Sequence, residues 1–176
     1  MYKEIADHFI KRLLTSDNFN NPDPVKDTGL LFPAFYDKLQ KSIAAFNVKY
    51  PEIKVIFVET YRSNDLQLKH YNNGASQIKK DGMHHFAIAA DLAFLINGKF
   101  SYNGDYKYLR ACHETENLTI LPPWDIGHVQ FIPVSKQNDL RNEVYSAVKQ
   151  FQKDNGLTPD GIPGPKTIAK AKQLYK

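Results

Sequence analysis

Apolar residues recur at helical spacing in two stretches near the start of the chain: Ile5, Phe9, Ile10, Leu13 and Leu14, and then Leu39, Ile43 and Phe46 within a segment from about Phe35 to Asn47. These stripes predict two amphipathic helices, and the Asn, Asp and Pro residues between Asn18 and Asp27 predict the loop that joins them. His8 lies off the first stripe and is expected to face solvent. The period then changes. Ile53 to Thr60 is a short apolar, β-branched run bounded by Pro51 and by Arg62-Ser63, and it reads as a buried strand. Asp65 to Tyr71 reads as a short helix closed by Asn73-Gly74. Ala87 to Ile96 is a second apolar run followed by Asn97-Gly98, the strongest short hairpin signal, with Lys99 to Tyr102 returning. Ile126 to Ile132 makes a last strand. The sum is an α+β fold, a small antiparallel sheet with flanking helices.

From Leu140 onward the stripe Leu140, Val144, Ala147, Val148 and Phe151 predicts one helix that stops at Asn155-Gly156. Asp160-Gly161 and Pro163-Gly164-Pro165 are turns, and Pro165 stands where a further helix through Ile168, Ala171 and Tyr175 would begin. The polar stretch Val134 to Asp139 lacks periodicity and is the expected boundary between a domain over residues 1–134 and a short helical tail over residues 135–176.

Charge sharpens that division. Residues 141 to 176 hold seven Lys and Arg against three Asp and Glu, so the tail carries the whole formal net charge of +4. A basic tail suits an anionic partner such as cell wall, nucleic acid or a membrane surface. Tyr175 and Phe151 are its only aromatics after Tyr145, and Phe151 belongs to the apolar stripe, so nucleic acid is not the expected partner. Met1 to Leu14 is interrupted by Lys3, Glu4, Asp7, Lys11 and Arg12, leaving no apolar stretch of signal-peptide length. No run approaches the roughly 18 apolar residues of a membrane span. The expectation is a monomer made in the cytoplasm without a Sec signal, reaching any wall target through a separate release or delivery route. The single cysteine, Cys112, excludes an internal disulfide framework and is expected to be buried.

Two segments hold the informative polar residues, Gly82-Met83-His84-His85-Phe86-Ala87-Ile88-Ala89-Ala90-Asp91 and Trp124-Asp125-Ile126-Gly127-His128-Val129-Gln130. In the last strand Val129 and Phe131 alternate with His128 and Gln130, which turns His128 away from the core-facing side. Asp91 lies inside an apolar strand, where a carboxylate needs a cation or donors. Two His and one Asp are a familiar donor set for catalytic zinc, with the fourth position left for water. The seven-residue interval between His84 and Asp91 demands a turn or bulge. His70 is expected on the surface of its short helix, and His113, among Glu114 and Glu116, in a surface pairing.

Gly82-x-His84-x-x-Ala87-x-Ala89-x-Asp91 resembles the Ser-x-His-x-x-Gly-x-Ala-x-Asp motif of the D-Ala-D-Ala carboxypeptidase and L-alanyl-D-glutamate endopeptidase family of zinc metallopeptidases. Asp125-x-x-His128 resembles that family's second motif, and Tyr61-Arg62-Ser63 with Gln67 its arginine segment. The resemblance covers roughly Ile53 to Ile132 and keeps the family's residue order. It implies His84, Asp91 and His128 as ligands of Zn2+, Asp125 as general base and Arg62 as support for the substrate carbonyl. Two departures touch loop geometry: Gly82 replaces Ser, and Ala87 replaces Gly. His85 is a rival first ligand, with the spacing to Asp91 favouring His84.

The tail is similar to the peptidoglycan-binding type 1 repeat through Phe151-Gln152, Gly156-Leu157, Asp160-Gly161 and Gly164-Pro165-x-Thr167. Only two of that module's usual three helices are apparent, so the tail is expected to pack on the preceding domain. Together the resemblances imply a zinc-dependent peptidase acting on peptidoglycan stem peptides, an endolysin-type L-alanyl-D-glutamate endopeptidase. The alternatives are a D,D-carboxypeptidase or dipeptidase of the same family, and a non-catalytic cell-wall-binding protein.

Overall fold

The first apolar stripe forms α1 (Tyr2–His8), which continues without a break as a π-helical segment over Phe9–Leu13. The computed structural model describes all of residues 1–176. Pro33 opens α2 (Pro33–Lys49), where its fixed φ suits the first helical turn and its missing N–H costs nothing. The strands are β1 (Lys54–Glu59), β2 (Ala89–Ile96), β3 (Lys99–Ser101), β4 (Thr119–Ile120) and β5 (His128–Gln130), with α3 (Asn64–Asn72) after β1 and α4 (Tyr106–Thr115) after β3. The chain ends with α5 (Gln137–Asp154) and α6 (Pro165–Tyr175). The architecture is α+β with one small antiparallel sheet, and its C-terminal region is helical.

β2 is the central strand. β1 pairs antiparallel along one side from Lys54↔Leu95 to Glu59↔Asp91, with a bulge between Phe57 and Glu59. The other side is shared: β5 pairs with its first half through Ala89↔Gln130, Ala90↔Val129 and Asp91↔His128, and β3 pairs with its second half. β4 lies outside β5. Asn97 and Gly98 both have positive φ, at 52° and 74°, as the two-residue hairpin between β2 and β3 requires.

The strands are shorter than their apolar runs. The second run enters its strand only at Ala89, after a 3-10 turn over Met83–Phe86, and the last strand keeps only His128–Gln130. Leu92 and Phe94 from β2, Phe35, Leu39 and Phe46 from α2, and Ile5, Phe9 and Leu13 from the first helix belong to one buried cluster. That cluster also contains Leu140, Val144, Val148 and Phe151 of α5 and Ala171 of α6, and α5 lies against α1. The tail thus packs on the rest of the protein, and its two helices share the main core.

α4 carries no signal in the periodicity reading above, and it changes the place of one histidine. His113 is not on the surface: it is 2% exposed, and its Nδ1 lies 2.8 Å from the hydroxyl of Ser42 on α2. Its neighbours Glu114 and Glu116 occupy the solvent side of the helix end, leaving the imidazole directed inward. Burial lowers its pKa to about 4. His8 is likewise not solvated, because its Nε2 meets the carbonyl of Leu30 at 2.8 Å and its ring lies edge-on to Phe32.

Candidate metal centre

Three local devices bring His84, Asp91 and His128 together. The first is the 3-10 turn Met83–Phe86, closed by Ala87 in the left-handed region at φ 52°, ψ 37°. This reversal folds His84 back towards Asp91. It also explains the Ala87 departure, for the conformation that glycine adopts freely is held here by an alanine, a strain of about 1–2 kcal/mol. The second is the antiparallel register that sets Asp91 directly opposite His128. The third is Gly127, whose absent side chain lets the chain pass the carbonyl of Leu92: an added Cβ would lie 2.7 Å from that oxygen.

The resulting triangle has nearly equal edges. His128 Nδ1 lies 3.0 Å from Asp91 Oδ1, His84 Nε2 lies 3.3 Å from the same oxygen, and the two imidazole nitrogens are 3.3 Å apart. A tetrahedral zinc with ligands at about 2.0–2.1 Å has ligand-to-ligand edges of about 3.3 Å. The donor set and its spacing therefore fit such an ion, and these three residues could hold a metal. Burial alone would push the Asp91 carboxyl up, but the facing charges and hydrogen bonds of His84 and His128 hold it well below the usual carboxylate range. Burial likewise pulls the His128 imidazole down, and the bond to Asp91 with the charges of Asp91 and Asp125 outweighs it, so its pKa is raised. An ionised carboxylate facing two imidazole nitrogens is a donor set that a cation can share.

His85 is not at this triangle. Its ring is buried against Phe9, Phe19 and Tyr61, and its Nδ1 lies 3.2 Å from the carbonyl of Arg62. Arg62 reaches the site from the segment between β1 and α3. Its Nη2 lies 3.5 Å from Asp91 Oδ2, its Nη1 donates to Gln67 Oε1 at 3.2 Å, and its Nε and Nη2 donate to the Glu59 carboxylate. Glu59, Gln67 and Asp91 together leave one Nη1 hydrogen of the five guanidinium donors uncommitted. Gln67 also accounts for Gly82, since an added Cβ there would meet Gln67 Oε1 at 3.0 Å.

Asp125 sits in the loop before β5, partly exposed. Burial pushes its carboxyl up, the charges of His128, His84 and Arg62 oppose that shift, and its backbone carbonyl accepts from the His128 N–H at 3.4 Å. Arg110 of α4 holds this loop by donating to the carbonyls of Leu121, Asp125 and Ile126. Glu59 and Arg110 were invisible to the periodicity reading, although an acidic residue ending an apolar strand was a usable signal for Glu59. His70 remains on α3, half-exposed and outside the cluster.

Residues 128–170 match the PG_binding_1 family model, described as a peptidoglycan binding domain. The matched stretch runs from His128 through α5 and into α6. No curated protein matches the chain at a significant level. No helix is long and apolar enough to cross a membrane.

Proposed function

We propose that this cell-wall-associated protein is a zinc-dependent peptidase that hydrolyses peptidoglycan stem peptides, with His84, Asp91 and His128 holding the ion. The observation that carries this reading is the triangle of two imidazole nitrogens and one carboxylate oxygen with edges of 3.0–3.3 Å. The family match begins only at residue 128, so the peptidase reading stands on these polar residues and their motif resemblance. The match itself supports a peptidoglycan partner.

When bound, zinc supplies Lewis acidity and lowers the pKa of water. The protein's residues supply the rest. Asp125 takes the proton from the attacking water and returns it to the leaving amine, a task favoured by a carboxyl whose pKa burial raises. Arg62, steadied by Glu59 and Gln67, offers its remaining Nη1 hydrogen to the carbonyl oxygen as negative charge grows on it. The bond assigned is that between L-alanine and D-glutamate, with a D,D-carboxypeptidase or dipeptidase specificity as the nearest alternative.

The test is mass spectrometry of fragments released from purified sacculi by the zinc-loaded protein, with His128→Ala alongside. New amino termini at D-glutamate, absent with the variant, are expected. Pelleting with sacculi but no fragments would favour the second reading, a non-catalytic wall binder, to which the match over residues 128–170 also points.

A further inference from the structure

We propose that Gln137, the first residue of α5, is a positioning residue for the metal centre: acting through Gln130, it fixes which nitrogen of His128 is free to bind the ion. The inference rests on the metal-site reading above and adds a role for the helical tail. His128 Nε2, the nitrogen turned away from the triangle, lies 3.3 Å from Gln130 Oε1. Gln137 Nε2 donates to the same oxygen at 3.3 Å. Gln137 Oε1 in turn accepts from Arg141 Nη2 at 3.2 Å, and Gln130 Nε2 donates to the carbonyl of Ile132. His128, Gln130 and Gln137 are 7%, 1% and 8% exposed, so water has little access to replace these partners.

The polarity of this chain is dictated from both ends. Arginine only donates, so Gln137 must turn its oxygen to Arg141 and its NH2 to Gln130. A carbonyl only accepts, so Gln130 must turn its NH2 to Ile132 and its oxygen to His128. An oxygen facing Nε2 requires Nε2 to carry the hydrogen. When a metal takes the place of the proton on Nδ1, the one remaining hydrogen stays on Nε2, which leaves Nδ1 free to face the ion beside Asp91 Oδ1 and His84 Nε2. Arg141 is itself immobilised, because its Nε donates to the carbonyl of Asp81 at 2.9 Å and its Nη1 to Asn138 at 2.8 Å. Asp81 lies three residues before His84, so one arginine of α5 braces both ligand-bearing segments.

The test removes the donor of Gln137. Gln137→Glu takes away the group that orients Gln130 and sets an acceptor against its oxygen. Zinc affinity of the full-length protein, from competition with a chromogenic chelator, should fall about 10- to 100-fold in Gln137→Glu, the usual loss for an outer partner of a metal-bound histidine. Gln137→Met, which removes the donor without adding charge, should fall in the same direction by less. Nitrogen-15 NMR of the wild-type protein gives a readout that needs no variant to fold: zinc-loaded His128 should carry its hydrogen on Nε2. A hydrogen on Nδ1, or Gln137→Glu and Gln137→Met binding zinc as wild type does, would overturn the inference. Failure of the wild-type protein to bind zinc would instead overturn the metal-site reading.

Discussion

Replacing Gly127 by alanine tests whether the approach of β5 to β2 sets the metal geometry. The new Cβ would stand 2.7 Å from the carbonyl oxygen of Leu92, and ordinary contact begins near 3.4 Å, so the two segments must separate by about 0.7 Å. Neither can yield cheaply. The Leu92 N–H donates to the Gly127 carbonyl at 2.9 Å, and the Leu92 carbonyl accepts from the Tyr106 hydroxyl at 2.9 Å. Leu92 and Gly127 are the chain neighbours of Asp91 and His128, so a separation there is passed to the 3.0 Å edge between those two ligands. Metal sites tolerate about 0.2 Å in ligand distance, several times less than the displacement required. The expected result is a loss of zinc affinity of at least about tenfold, with a cost of about 1–3 kcal/mol to the metal-free fold from overpacking. Chelator competition measures the first and urea unfolding of metal-free protein the second. A Gly127→Ala protein with wild-type stability and zinc affinity within twofold would refute the claim that this backbone contact positions the ligands.

Asp125→Asn should leave zinc content and stability nearly unchanged while stem-peptide turnover falls by roughly two orders of magnitude or more, and recovery of the wild-type rate at saturating zinc would remove Asp125 as the base. Stability should drop as pH falls from the ordinary histidine pKa of 6.5 to about 4, because buried His113 stays neutral in the folded chain while the unfolded chain takes up a proton. The contribution is at most about 3 kcal/mol. His113→Gln should flatten that part of the profile, leaving the slopes from His8, His70 and His85, whose pKa values burial also lowers; an unchanged profile would count against it. Leu140→Ala should destabilise the whole chain by about 2–5 kcal/mol in a single urea transition, because this fully buried side chain joins the main core, and a separate early transition confined to the tail would contradict that.

The residues of the triangle and most of the elements were legible in the chain itself, because they follow from local order. Periodicity separates α1, α2, α5 and α6 from the strands, and Asn97-Gly98 specifies a hairpin turn whatever surrounds it. The residue types of His84, Asp91 and His128 and their motif resemblance pointed to a donor set, and the fold brings these three side chains together. Local order did not reveal α4 or the burial of His113, since which side of a short polar helix is covered depends on what packs there, here α2. Nor could it pair Glu59 with Arg62, or place Gln137 behind His128. Those contacts join residues 3 and 9 positions apart across a strand end and a turn, where small changes in backbone direction decide whether side chains meet. The return of His84 to Asp91 depends on Ala87 holding a left-handed conformation that the alanine disfavours, and only the surrounding packing makes it hold. Composition and pattern thus determined which donor residues the chain carries, while tertiary packing decided their 3.0–3.3 Å separations, because those distances are set by contacts between segments remote in sequence.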